Sequence, residues 1–300
     1  MTTTATTRTD VYSRVTSRIV EDLERGVRPW LKPWNAEHAA GRITRPLRHN
    51  GQKYSGINIL TLWMSAEVQG FVSPFWLTFQ QARELGGHVR KGEHGSPVVY
   101  ASTFKKREQT DDGQETEAEI PFLKEYTVFC ADQCEGLPPH FYAMAVPPNE
   151  SIEPIERAAL FFEGTRADIH IGGNRAFYAM EPDYIAMPCI ETFRDAESHA
   201  ATLAHELTHW TRHPSRLCRE FGRKRWGDDG YAMEELVAEL GSAFLCADLA
   251  ITPEVRDDHA SYIDSWLKVL KQDKRAVFSA ASHASRAVDF LHGLQPQPAA

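Results

Sequence analysis

His205-Glu206-Leu207-Thr208-His209 sets two imidazoles four residues apart, with a carboxylate directly after the first. A helix turns once in about 3.6 residues, so both rings share one face and can hold one metal ion. Glu206 can then serve as a base toward a water activated by that ion, the chemistry of H-E-x-x-H peptidases. His205 and His209 are therefore read as ligands and Glu206 as the catalytic residue.

Catalytic zinc needs a third protein ligand and an open position. No third His follows at the longer metzincin spacing, because Ser215 takes that place and the preceding Gly is missing. The stretch from Met233 to Gly241 is also helix-like and sets Glu235 and Glu239 on one face. Glu235 is the expected third ligand. Glu239 is the expected acceptor for the free ring nitrogen of a ligating His, which fixes the tautomer and the ring. Glu234 is the rival ligand, disfavoured because Ala238 stands four residues on. Tyr231 is either a helper for the developing oxyanion or a plain core tyrosine, and His213 fits a cation at a helix end. Zinc suits the donors, and so does manganese or another divalent ion, since a His/His/Glu set is not strongly selective.

The element carrying the motif must be a helix. Ala201, Leu203, Ala204 and Leu207 favour one, Asp195 and Ser198 offer caps, and Pro214 ends the run. Apolar neighbours Ala204, Leu207 and Trp210 argue against an ordinary solvated face. Ahead of it, strands are expected at 168–170, 176–180 and 184–187, with a helix near 155–164. Strand Tyr184 to Met187 is read as an edge able to pair with an extended peptide.

Toward the amino terminus, Val11, Val15, Ile19 and Leu23 recur every four residues before Gly26, predicting a helix over 10–25 closed by that glycine. Pro29 to Trp34 should be an exposed turn or extended loop. Helices are expected over 56–69 and 78–85, and strands over 97–104 and 125–131. The charged, apolar-poor stretch 105–119 reads as a solvated hairpin loop or disordered insert, and Pro138 to Asn149 as a linker. These boundaries predict an α+β chain with one domain over 1–145 and another over 150–300.

With 300 residues, 42% of them hydrophobic and 25% charged, the chain can build real cores. The polar, Thr-rich start has no apolar signal region and no run reaches membrane-spanning length. Five scattered cysteines fit a reducing compartment, so a soluble cytoplasmic protein with no membrane partner is expected. Cys130 and Cys134 are read as buried thiols rather than half of a zinc site.

Charge is unevenly spread. Residues 1–107 carry 16 Lys and Arg against 8 Asp and Glu, whereas residues 151–300 carry 16 against 23. The basic front region interleaves cations with aromatics, the composition by which single-strand binders track phosphates and stack bases. Trp30, Lys32, Trp34, Arg42, Arg45, Arg48, Lys53 and Tyr54 are the expected single-stranded-DNA contacts, whereas Trp63, Phe75 and Trp76 read as core.

Several segments together resemble the ArdC-type antirestriction proteins of conjugative plasmids and related mobile elements. They are Pro46 to Gly51, Tyr54 to Trp63, Gly92 to Gly95 and Val128 to Leu137 in the front half. In the second half they are His205 to Thr211 and Glu234 to Gly241. The family pattern has Asn in the place of Cys130. The resemblance implies a single-stranded-DNA-binding front domain joined to a zincin-like metallopeptidase domain, protecting incoming DNA from host restriction. A rival expectation is a regulatory metallopeptidase that cleaves a repressor or similar protein without a DNA role.

Overall fold

The computed structural model describes residues 10–31, 44–109, 115–142, 153–222, 229–252 and 260–296. Helix α1 (Val11–Glu24) begins at Asp10, whose carboxylate accepts from the backbone N–H groups of Tyr12 and Ser13. It ends before Gly26, whose φ of 73° is a conformation that glycine adopts without strain. The chain then turns inward: Trp30 is fully buried and Leu31 nearly so. The Pro-flanked turn is thus not an exposed loop at Trp30, because its indole is enclosed by the core.

A four-stranded sheet follows, in the order β1 (Leu47–Arg48), β2 (Phe75–Leu77), β5 (Glu115–Cys130), β4 (Ser96–Gln109). Helices α2 (Ile57–Gln69) and α3 (Phe79–Glu84) lie between these strands in the chain, and α3 carries a reciprocal cap between Thr78 and Gln81. Most of the charged stretch read as a loop or insert is strand. The β4–β5 ladder runs from Ser96 opposite Val128 to Gln109 opposite Glu115, with Lys105 facing Glu119 and Arg107 facing Glu117 in the register. Backbone pairing sustains such a ribbon without apolar alternation. Short strands β3 (His88–Val89) and β6 (Cys134–Glu135) pair beside a small core of Leu77, Ala82, Ala131, Cys134, Leu137 and Phe141. Phe141 therefore anchors the start of the segment expected to be a linker, and residues 143–149 of it lie outside the described residues.

The second half opens with α4 (Pro154–Gly164) and a three-stranded sheet in the order β7 (Asp168–Ile171), β9 (Tyr184–Met187), β8 (Phe177–Ala179). β9 pairs on both sides, parallel to β7 and antiparallel to β8. Its expected role as an edge is thus overturned, because strand order is set by tertiary packing and not by position before the helix. Among the described residues β7 and β8 form the edges.

Helices α5 (Ala196–Trp210) and α6 (Asp229–Leu249) are the buried spine, packed on each other and flanked by α7 (Ala260–Gln272) and α8 (Ala276–Gly293). Asp195 caps α5 by accepting from Ser198 N–H at 2.7 Å. Gly241 on α6 lies against Thr208 on α5, where an added Cβ would come within 2.5 Å of Thr208 Cγ2. The missing side chain lets the two helix axes approach closely.

One continuous core links the halves, running through Ile19, Trp30, Leu60 and Trp63 to Phe244, Trp266 and Val288. A buried ion cluster reinforces it. Asp248 on α6 accepts from Arg45 at 2.8 and 2.5 Å, from Lys53 at 2.8 Å and from His292 on α8 at 2.8 Å. Burial raises the Asp248 carboxyl, but His292, Arg45 and Lys53 outweigh it and hold the group well below the usual carboxylate range. Among the described residues no helix is long and apolar enough to cross a membrane.

Candidate metal centre

Helical spacing brings the two imidazoles of α5 together, with His205 Nε2 3.1 Å from His209 Nε2. Glu235 reaches them from α6, its carboxylate oxygens 3.6 Å from His205 Nε2 and 3.5 Å from His209 Nε2. One donor atom from each residue falls within 4.8 Å of the others, in a buried setting. Tetrahedral ligands about 2.0–2.2 Å from zinc stand roughly 3.3 Å apart, so these donors fit a divalent cation with little adjustment.

The outer nitrogens of both rings face carboxylates. His209 Nδ1 lies 3.1 Å from Glu234 Oε1, an acceptor for the Nδ1–H of the tautomer that would ligate a cation through Nε2. Arg219 fixes Glu234 with two bonds of 2.8 Å and also donates to Thr208 O and Thr211 Oγ1. On the other ring, His205 Nδ1 faces Glu239 Oε1 at 3.6 Å. Glu239 Oε2 accepts from the Trp30 indole at 3.3 Å and lies 3.7 Å from Arg28 Nη1.

Electrostatics favour a positive charge at the centre. Burial alone would neutralise the Glu235 carboxyl, yet His209 and His205 hold it far below the usual range. Burial lowers His209 too, but Glu235 and Glu234 prevail and push it up to about 10. Glu234 also feels burial first, and the Arg219 guanidinium then brings it down to about 2. A buried carboxylate between two imidazoles needs either a proton or a cation to balance it. Tyr231, half-buried at 2.9 Å from the Tyr262 hydroxyl, is pushed up by burial and by the adjacent Glu235, so its phenol stays protonated and able to donate.

Glu206 is buried in α5 one position after His205. The expected nucleic-acid residues fare less uniformly. Trp30 and Arg45 are enclosed, the first against Glu239 and the second against Asp248, and neither can stack on a base or meet a phosphate. Tyr54 is buried as well, with the Arg48 guanidinium 5.4 Å from its ring centre. Arg48 is exposed and Lys53 half-exposed, while Lys32, Trp34 and Arg42 lie outside the described residues. Cys130 and Cys134 are buried free thiols, as expected from the sequence.

Arg219, Arg28 and the inward role of Trp30 were not foreseen. Nothing local marks Arg219: it follows the helix in a loop and finds Glu234 fifteen residues later. Arg28 and Trp30 meet Glu239 across more than two hundred residues of chain.

The fold and donor set define a zincin-like domain behind a mixed helix and sheet front region. Residues 156–283 match the zincin-like metallopeptidase family, and residues 9–129 match the N-terminal domain of the anti-restriction factor ArdC. Two solved structures of the antirestriction protein ArdC from plasmid R388 are similar over 95% of this chain. The metal-free one shares 45% identity over 97% of its length at a TM-score of 0.80. The Mn(II)-bound one shares 43% over 98% of its length at 0.77. The protein y4eC of Sinorhizobium fredii is 39% identical over 97% of this chain and 94% of its own length. DNA primase TraC of Escherichia coli is 35% identical over 93% of this chain, which spans only 27% of the primase. The chain belongs to the ArdC antirestriction family.

Proposed function

We propose that this protein binds single-stranded DNA through its front region and carries a working metallopeptidase centre, acting in the cytoplasm to protect incoming DNA from restriction. The observation that carries the enzymatic part is the convergence of His205, His209 and Glu235 within 4.8 Å. His205, His209 and Glu235 hold the ion, and zinc or manganese both suit a set of two imidazoles and a carboxylate. A divalent ion there supplies Lewis acidity that makes water acidic enough to attack near neutral pH. Glu206 takes the water proton and returns it to the leaving amine. Glu234 and Glu239 keep each imidazole in the tautomer that ligates. An extended peptide would pair with β8 or β7, the edges among the described residues, rather than with β9.

The nucleic-acid part rests on the match to the ArdC N-terminal domain, the basic front region and the similarity to a DNA primase. Arg48 is the exposed described cation of this set, Lys53 being engaged by Asp248, and Lys32, Arg42 and the aromatic Trp34 join it in sequence. A gel shift on single- and double-stranded oligonucleotides, with and without chelator, tests both parts when run on the intact protein and Glu206→Gln. Preference for single strands with affinity falling as salt rises supports the reading. Equal affinity for both forms contradicts it.

A further inference from the structure

The indole of Trp30 is the feature that the metal-centre reading leaves unused. A fully buried tryptophan from the segment after α1 directs its N–H at Glu239, a carboxylate of α6 whose other oxygen faces His205. Arg28, two residues earlier and also buried, stands 3.7 Å from the same Glu239 oxygen that the indole meets. The two oxygens of Glu239 are thereby divided: Oε2 is turned to the amino-terminal segment and Oε1 to the imidazole. A buried carboxylate without such partners would be costly in the ionised form and free to rotate.

We propose that Trp30 and Arg28 are positioning residues of the metal centre, so that the amino-terminal region completes the surroundings of the zincin-like site. This rests on the reading of His205, His209 and Glu235 as ligands. Arg28 sets its guanidinium 3.7 Å from Glu239 Oε2 and so draws that oxygen toward the amino-terminal segment. Trp30 fixes the carboxylate plane, and that plane aligns His205 with its Nε2 toward the cation. The zincin-like half is accordingly not self-sufficient in metal affinity. Outer partners of ligating imidazoles typically change affinity by about 10–100-fold when lost, and Trp30 acts one step further out, through Glu239.

Trp266 supplies a matched control. Its ring packs edge-on against Trp30 at 5.6 Å between centroids, it is equally buried, and its indole nitrogen has no hydrogen-bond partner among the described residues. Trp30→Phe and Trp266→Phe remove comparable volume from one aromatic cluster, but only the first removes a bond to Glu239. The test is titration of the chelator-stripped full chain with Mn(II), read by calorimetry and by the free-ion paramagnetic resonance signal. Thermal unfolding of the metal-free forms is measured alongside. Trp30→Phe is expected to weaken Mn(II) about tenfold while Trp266→Phe leaves it within twofold, with similar loss of midpoint in both metal-free proteins. Arg28→Met is expected to weaken binding and Arg28→Lys to restore most of it. Equal affinities for Trp30→Phe and Trp266→Phe overturn the proposal alone. Failure of the unaltered protein to bind Mn(II) or zinc overturns the ligand reading and this proposal with it.

Discussion

Glu234 Oε1 lies 3.1 Å from His209 Nδ1, on the opposite side of the ring from the nitrogen that meets Glu235. Adjacent glutamates on α6 thus address the two nitrogens of one imidazole. A helix rotates about 100° per residue, so these two adjacent glutamates approach the ring from different sides.

That division of labour predicts unequal losses. Glu234→Gln keeps the volume but replaces a charged acceptor with a neutral amide, so metal affinity should fall about tenfold while the protein remains able to load. Arg219→Met should act in the same direction, because it frees Glu234, and should also destabilise the fold by leaving a buried carboxylate short of charge. Calorimetric titration beside thermal unfolding separates the two effects.

Gly241 controls how closely α5 and α6 approach. Gly241→Ala would press a methyl onto the Thr208 side chain, and overpacking of this kind costs about 1–3 kcal/mol. Thr208→Ala in that background removes the atoms struck and should recover part of the loss. A double-mutant cycle by denaturant unfolding checks the coupling.

Asp248 makes stability depend on acid. Its folded-state carboxyl is depressed by His292, Arg45 and Lys53 against the opposing effect of burial. A depressed carboxyl contributes stability that is fully present above the unfolded value of about 3.9 and is lost as pH falls toward the folded value. Glu234, held down to about 2, adds loss in the same window. The contribution of these two carboxylates should therefore be flat from neutral pH to about 5 and drop steeply below 4. Asp248→Asn should cost roughly 3 kcal/mol at neutral pH, since it leaves Arg45 buried without its partner, and should flatten part of the acid slope. Denaturant melts across pH read both.

Local chemistry makes the convergence of His205, His209 and Glu235 legible in the sequence. The caps, helix formers and i, i+4 spacing around His205 and His209 are short-range signals, and Glu235 and Glu239 follow from the same period on a second helix. Trp30 and Arg45 misled because a tryptophan between prolines and an arginine in a polar loop resemble surface, while their partners, Glu239 and Asp248, lie more than two hundred residues away. The central place of β9 was equally hidden, as strand order depends on how β7 and β8 fold back. Strands β4 and β5 outran their apolar cores because a hairpin ladder extends wherever both chains remain extended.

The proposed single-strand binding predicts a contrast between two arginines three residues apart. Arg48→Ala should weaken single-strand binding and reduce the log–log salt slope by about 0.7, with stability within about 0.5 kcal/mol of the parent. Arg45→Met should instead lower stability through Asp248. Fluorescence titration over a salt series, paired with unfolding curves, distinguishes them.

In the proposed function His205, His209 and Glu235 form one divalent-metal site served by Glu206. Its most direct measurement is the zinc or Mn(II) stoichiometry and affinity of the stripped chain, compared among the parent, Glu235→Gln and Glu206→Gln. One ion per chain, an affinity at least a hundredfold weaker in Glu235→Gln, and near-parental loading in Glu206→Gln are the predicted result. Parental affinity in Glu235→Gln, or no ion bound by the parent, would contradict it.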